Sequence, residues 1–212
     1  MRYYPAFLDI AGKPVVVVGG GEVAARKVET LLDCGAEVTV ISPDLHPALR
    51  SLLDAGRLRH IGRDYRTGDL EGYTLAIVGT DDRSANDAAA AEARRAGVWV
   101  NAVDDPPNCD FIMPGVVRRG ELIVAVSTSG GSPAMARKMR EELEAFLTED
   151  YAMLLELAVE VRAELRERGL QVEPAVWNAA LDGELRSLLA GGRRAEAKDR
   201  LLRSLLQPAK PS

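Results

Sequence analysis

Val15 to Lys27 reads VVVVGGGEVAARK, and how this stretch folds decides the architecture of the chain. Four consecutive valines are β-branched with no polar break, the pattern of a strand buried on both faces of a parallel sheet. Three glycines follow, then residues that favour a helix. Gly19, Gly21 and Ala24 fill a G-x-G-x-x-A frame between the two elements. Gly19 permits the turn, Gly21 lets backbone approach a pyrophosphate, and Ala24 lets the helix pack close to the strand. The helix N-terminus then offers unpaired N–H groups and a partial positive charge to phosphate. The stretch predicts a dinucleotide site at Gly19, Gly20, Gly21, Glu22 and Val23. The alternative is a glycine turn that binds nothing.

Strands and helices alternate from there. The spacing predicts a helix over Glu22–Cys34 closed by Gly35, a strand over Glu37–Ile41, a helix over Leu45–Ala55 and a short strand over Leu58–Ile61. It then predicts a strand over Tyr73–Val78, an alanine-rich helix over Arg83–Ala96 closed by Gly97, and a strand over Val98–Ala102. Alternation of this kind makes an α/β protein with a parallel, doubly wound sheet of Rossmann type, whose ligands lie outside the strand C-termini. The residues expected there are Gly19–Val23, Ser42–Asp44, Gly79–Asp82 and Asn101–Asp105, with Thr80, Asp81, Asn101 and Val103 among the cofactor contacts. An NAD fold usually ends its second strand on Asp or Glu, which holds the ribose hydroxyls. Here Ser42 and Pro43 stand there and Asp44 follows, so Asp44 is the candidate. No arginine follows to receive a 2′-phosphate, which favours NAD over NADP.

Composition bounds the alternatives. The chain has 212 residues, 47% hydrophobic and 28% charged, with net charge −5. It carries no strong local basic patch, which argues against a nucleic-acid partner. Cys34 and Cys109 make neither a disulfide framework nor a metal motif, and fit reduced thiols. No His/Cys cluster suggests a preformed metal site, and His46 and His60 read as surface residues. No apolar run approaches the roughly 20 residues of a membrane span. The start MRYYPAFLDI lacks a signal-peptide shape, so the expectation is a cytoplasmic protein without membrane contact.

After Ala102 the pattern changes. NAVDDPPNCDFIMP, residues 101–114, reads as an irregular loop at the carboxyl edge of the sheet, with Asp104 and Asp105 near its start. Carboxylates there can act as bases or simply cap the loop. In extended backbone, neighbouring side chains point oppositely, so one of the pair is expected to face a ligand. Gly115–Arg119 and Glu121–Ser127 predict a hairpin. Ser127–Ser132 is a second glycine- and serine-rich helix entrance, with Ser132 as N-cap and Pro133 first in the helix. Ser127, Thr128, Gly130, Gly131, Arg137 and Lys138, with Arg118 and Arg119 close in sequence, are candidates for holding a polycarboxylate; ordinary solvated charges are the alternative. Met135, Met139, Leu143 and Phe146 make one helical stripe, suited to a core or a dimer contact. From Thr148 onward leucines are spaced among charges as in helices, broken at Gly169.

Taken together, VVVVGGGEVAARK, LAIVGTDD, NAVDDP, FIMPGVV and AVSTSGGSPAMARKMRE keep an order and spacing that resembles the siroheme synthase family, the precorrin-2 dehydrogenase/sirohydrochlorin ferrochelatases. The resemblance covers roughly residues 1–150; the later helices match only loosely, and no methyltransferase domain is expected. It implies an NAD-binding domain over 1–113, a dimerisation domain over 114–148, a helical domain over 149–212, and an interlocked homodimer with the tetrapyrrole in a cleft between these parts. Asp104 falls on the family's catalytic aspartate. Thr128 stands where some members have Ser, which puts a serine-specific modification in doubt. The implied reaction oxidises precorrin-2 to sirohydrochlorin, with hydride passing to NAD and a proton lost; Fe²⁺ would be a substrate in a second, chelatase step. The competing readings are a non-catalytic NAD-sensing module that dimerises through its second domain, and a chelatase with little dehydrogenase activity.

Overall fold

The computed structural model describes residues 3–206. Contacts divide the chain into two compact units that meet in sequence at Met113 and Pro114. The first contains β1 (Pro14–Val18), α1 (Glu22–Asp33), β2 (Glu37–Ile41), α2 (Pro47–Asp54), β3 (Arg59–Ile61), β4 (Leu75–Val78), α3 (Arg83–Ala96) and β5 (Trp99–Ala102). All five strands are parallel, in the order β3-β2-β1-β4-β5. The chain winds outward from β1 to β3, then returns past β1 to β4, so the order reverses between β1 and β4. That is where a doubly wound sheet opens its ligand crevice.

The valine run is explained by burial on both sides. Val15 and Val17 join the core formed with α1 and α2, while Val16 and Val18 join the core formed with α3. All four are at most 1% exposed. A polar residue at any of them would lie in a core whichever way it pointed. The α3 core is lined by Ala89, Ala90 and Ala93, which bring that helix close to the sheet.

The crossover from β3 to β4, residues 62–74, contains no helix. Leu70 plugs the α3 core from this segment and is fully buried. Its backbone is fastened by Glu92 of α3, only 5% exposed, whose carboxylate accepts the Leu70 N–H at 2.7 Å, the Gly68 N–H at 2.8 Å and the Tyr65 hydroxyl. Burial alone pushes the Glu92 carboxyl up, but these donors outweigh it and hold it below the usual glutamate range. Arg63 and Asp69 add a two-pronged ion pair in the same segment.

In the second unit β6 (Gly115–Arg119) and β7 (Leu122–Val126) form an antiparallel hairpin. Gly120, at φ 55°, takes the first place of its two-residue turn. Five helices follow: α4 (Pro133–Phe146), α5 (Glu149–Glu167), α6 (Pro174–Ala180), α7 (Gly183–Ala190) and α8 (Arg194–Leu206). Leu157, Val161 and Leu165 of α5 pack with Leu185 and Leu189 of α7 and Leu201 and Leu205 of α8 in one core. Arg194 and Lys198 of α8 reach Glu160 of α5 around it. By contrast, α4 buries no residue fully. Its Met135 and Phe146 are 48% and 64% exposed, so the stripe expected along α4 is not a core of this chain.

The Glu92 node gives a stability prediction. Its folded pKa is depressed, so its contribution is present above the unfolded-state value and is lost as pH falls through the folded one. Glu92→Gln should cost about 1–3 kcal/mol at neutral pH by denaturant unfolding. The variant should also show a shallower loss of stability than the parent as pH falls below the usual glutamate range. An unchanged midpoint would contradict the fastening role.

Candidate functional site

The carboxyl edge of the sheet brings the loops after β1, β2, β4 and β5 side by side. Gly19 lies at φ 118°, a backbone region closed to other residues, and a Cβ there would sit 2.4 Å from the Gly79 carbonyl oxygen. A Cβ on Gly79 would in turn sit 2.9 Å from Val103 Cγ2. On the other side, a Cβ on Gly20 would meet the Asp44 carbonyl oxygen at 2.0 Å and Ser42 Oγ at 2.6 Å. Backbone bonds hold the loops in this contact: Gly19 N–H to Ile41 O at 2.9 Å, Gly79 N–H to Val18 O at 2.9 Å, and His46 N–H to Gly20 O at 2.7 Å.

Gly21 is the exception. Nothing lies within 4 Å of the place its Cβ would take, and as N-cap of α1 it supplies no side-chain hydrogen bond. The first N–H groups of α1 therefore face open space beside a residue without a side chain. Glu22 and Val23 are exposed at the same place. This cradle fits a pyrophosphate, and the residues present fit an NAD-type dinucleotide.

Ser42 is buried and its carbonyl is held by His60 Nε2 at 2.8 Å, whereas Pro43 and Asp44 are exposed. Of these three, Asp44 has the carboxylate and the exposure for ribose hydroxyls. His46 and His60 are not the surface residues expected from sequence. His46 Nδ1 accepts the Ala48 N–H and caps α2, and both rings are half-buried. They anchor the loop that carries Asp44.

After β4, Asn86 of α3 takes the Thr80 N–H and hydroxyl and returns its amide to the Thr80 carbonyl. Asp82 caps α3 through the Ser84 and Ala85 N–H groups, and the Ser84 hydroxyl and these amides hold its carboxyl below the usual range. Asp81 is exposed beside it. After β5, Asn101 is buried and its amide donates to the Phe111 carbonyl at 2.9 Å.

The extended backbone expected at Asp104 and Asp105 is absent. Val103 and Asp104 form a turn, with Asp104 in the left-handed region at φ 57°. Non-glycine residues rarely enter this region, and Asp and Asn do so most readily. The two carboxylates are separated by this turn rather than by strand alternation. Asp104 is exposed and its carboxylate forms no hydrogen bond or ion pair with the described residues, while Asp105 is half-buried and accepts the Asn108 amide at 2.8 Å.

Sequence reasoning overlooked Lys27. It is half-buried on α1 and makes no hydrogen bond or ion pair with a described residue. Burial and the neighbouring Arg26 push its ammonium down, and Asp104 pulls it back up. Side chains on a helix lean toward its N-terminus, so Lys27 leans toward the glycine loop and the edge where Asp104 stands. The signal was within the quoted stretch: Lys27 follows Ala24 by three residues and flanks the face that packs on the sheet.

In the second unit, Thr128 exchanges hydrogen bonds with Ser132, its Oγ1 accepting the Ser132 N–H and donating to the Ser132 carbonyl, both at 3.1 Å. Ser127 Oγ accepts the Ser129 N–H, and Ser129 lies at φ 54° before Gly130 and Gly131. Ser132 caps α4 through the Met135 N–H. Of the four basic candidates, Arg119 is engaged by Glu149 at 3.4 Å and by the Glu144 carbonyl at 3.0 Å, so it serves the fold. Arg118 donates to the Gly120 carbonyl, and Lys138 lies 3.8 Å from Glu142. Arg137 is exposed with no hydrogen bond or ion pair among the described residues.

Residues 6–115 match a family described as putative NAD(P)-binding, and residues 119–145 match one described as sirohaem biosynthesis protein central. The chain belongs to the siroheme synthase family. Siroheme synthase 1 of Serratia proteamaculans is 39% identical, covering 100% of this chain and 45% of that protein. The siroheme synthase of Methylococcus capsulatus is 41% identical, covering 95% and 43%. The chain thus spans about half the length of the curated relatives it matches. A solved structure, SirC, precorrin-2 dehydrogenase, superposes with a TM-score of 0.76 at 25% identity over 95% of this chain and 100% of that one. The sheet of the first unit thereby falls within the family's NAD(P)-binding match.

Two glycine variants separate fold from ligand. Gly21→Asp places a carboxylate in open space, so the fold should persist by circular dichroism while NAD⁺ binding disappears by calorimetry. Gly20→Ala meets backbone that cannot swing away and should cost about 1–3 kcal/mol of stability. Retained affinity in the first, or an unchanged melting temperature in the second, would contradict this geometry.

Proposed function

We propose that this chain oxidises precorrin-2 to sirohydrochlorin, using NAD⁺ held by the glycine loop and Asp104 as the base. The observation that carries the proposal is the position of Asp104: an exposed carboxylate with no hydrogen-bond partner among the described residues, on a residue with left-handed backbone at the edge of an NAD(P)-binding sheet. Its support from known proteins is the likeness to siroheme synthases and to a precorrin-2 dehydrogenase. The nicotinamide supplies the two-electron acceptor when bound. Backbone N–H groups of the glycine loop and α1 hold the pyrophosphate, and Asp44 takes the ribose hydroxyls. Asp104 takes the proton that leaves as the ring system gains conjugation. A regulatory NAD-sensing module would have no use for a strained, unpartnered carboxylate at this edge.

The proposal extends to Fe²⁺ as a second substrate, since Asp104 can also accept the inner pyrrole N–H protons that metal insertion displaces. Substrate carboxylates are assigned to Arg137, Lys138 and the Ser127–Ser132 loop with Thr128, Gly130 and Gly131. The protein is proposed to be a cytoplasmic homodimer. Val116 and Ile123 on the outer face of the hairpin, and Met135 and Phe146 of α4, are each exposed apolar residues that a second copy would cover. Sedimentation at micromolar concentration should show the dimer, and a monomer would contradict it. No helix among the described residues is long and apolar enough to cross a membrane.

Asp104→Asn keeps size and tolerates the left-handed backbone, so it should fold and bind NAD⁺ normally. Its turnover with precorrin-2 should fall by about 10²–10⁴. Asp105→Asn should change the rate little. A near-normal rate in the first beside an inactive second would show that the base is the other carboxylate.

A further inference from the structure

Two adjacent carboxylates at one sheet edge pose a problem of choice, because both lie within reach of a common ligand unless something separates them. The chain separates them with one amide. Asn108 sits in the short 3₁₀ turn Pro106–Asn108 that follows Asp105. Its Nδ2 donates to Asp105 Oδ2 at 2.8 Å and to Asp87 Oδ1 at 3.0 Å. Its Oδ1 accepts from Arg94 Nη1 at 3.1 Å, and Arg94 Nη2 also reaches the Pro107 carbonyl at 2.9 Å. Both Asp87 and Arg94 belong to α3, so this amide ties the turn to a helix packed on the sheet. The Asn108 N–H closes the same turn on the Asp105 carbonyl at 3.0 Å, and the Cys109 thiol donates to that carbonyl and to the Ala102 carbonyl.

Asp105 is therefore held at its side chain and at its backbone, while no described residue holds either carboxylate oxygen of Asp104. The backbone of Asp104 must bend through φ 57° between two anchored neighbours, Ala102 and Asp105. A conformation that costs a non-glycine residue free energy persists only where its surroundings impose it. The Cys109 thiol and backbone N–H groups hold the carbonyls on either side of Asp104, and the Asn108 side chain, braced from α3, holds the Asp105 carboxylate beside them. We propose that Asn108 is a positioning residue that withholds Asp105 from the chemistry and fixes the turn that presents Asp104. The role rests on the assignment of Asp104 as the base. It concerns which of two chemically equal groups reacts, a choice that the composition of the loop leaves open.

The full chain is assayed with precorrin-2 and NAD⁺, reading sirohydrochlorin formation, for Asn108→Ala, Asp104→Asn and the pair combined. In the parent background Asn108→Ala should lower kcat about tenfold by loosening the presented base, with KM for NAD⁺ unchanged. In the Asp104→Asn background the same change should raise the residual rate, because Asp105 is released to serve in its place. A purely structural amide would lower the rate in both. Equal losses in both backgrounds, no loss in the parent, or a lost NAD⁺ affinity by calorimetry would overturn the role of Asn108. A parental rate in Asp104→Asn alone would instead overturn the assignment of the base.

Discussion

The close approach of backbone at the carboxyl edge of the sheet is the constraint on which the rest depends. Gly19 turns against the Gly79 carbonyl, Gly79 against Val103, and Gly20 against Ser42 and the Asp44 carbonyl. None of these places has room for a side chain. The crowding fixes the ends of β1, β2, β4 and β5 relative to one another and leaves the space beside Gly21 open. The gap is left among tightly packed turns, so its shape is set by the fold before any ligand arrives. The cost of preorganisation is met during folding, by valines buried on both faces of β1.

Much of this was legible in the sequence because it follows from local chemistry. An unbroken valine run must be buried on both sides, three glycines must turn, and an alanine-rich helix must pack closely. The strand and helix order followed from those signals, and the likeness to siroheme synthases followed from motifs in a fixed order. Less legible was anything decided by partners distant in the chain. Glu92 looks like a solvated helix residue until Tyr65, Gly68 and Leu70 are seen to converge on it. His46 and His60 look like surface residues until the loop they anchor is traced. The stripe along α4 has helical spacing suited to a core, yet Met135 and Phe146 stay exposed among the described residues, Phe146 meeting only the edge of α5 through the Tyr151 ring.

The two aspartates show the same limit most clearly. Strand alternation was a reasonable basis for giving them opposite directions, but the backbone has already left the strand at Val103. What distinguishes them is the left-handed turn at Asp104 and the amide of Asn108 on Asp105. The turn lies within NAVDDP, but the amide stands two residues beyond it and is braced from α3 through Asp87 and Arg94. Lys27 adds a second distant partner, a half-buried ammonium that feels the field of Asp104 from another element. A polar group left without a close partner in a packed protein is costly, and sites of chemistry are where such costs collect.

In the reaction we propose, one edge of the first unit both holds the dinucleotide and moves the proton. An anaerobic reaction of the purified chain with precorrin-2 and NAD⁺, with NADH and sirohydrochlorin followed together, decides whether it does both. The two should appear at one rate and in equal amounts, and neither should appear when NAD⁺ is omitted. Sirohydrochlorin formed without NADH, or NAD⁺ bound with no tetrapyrrole oxidised, would contradict it.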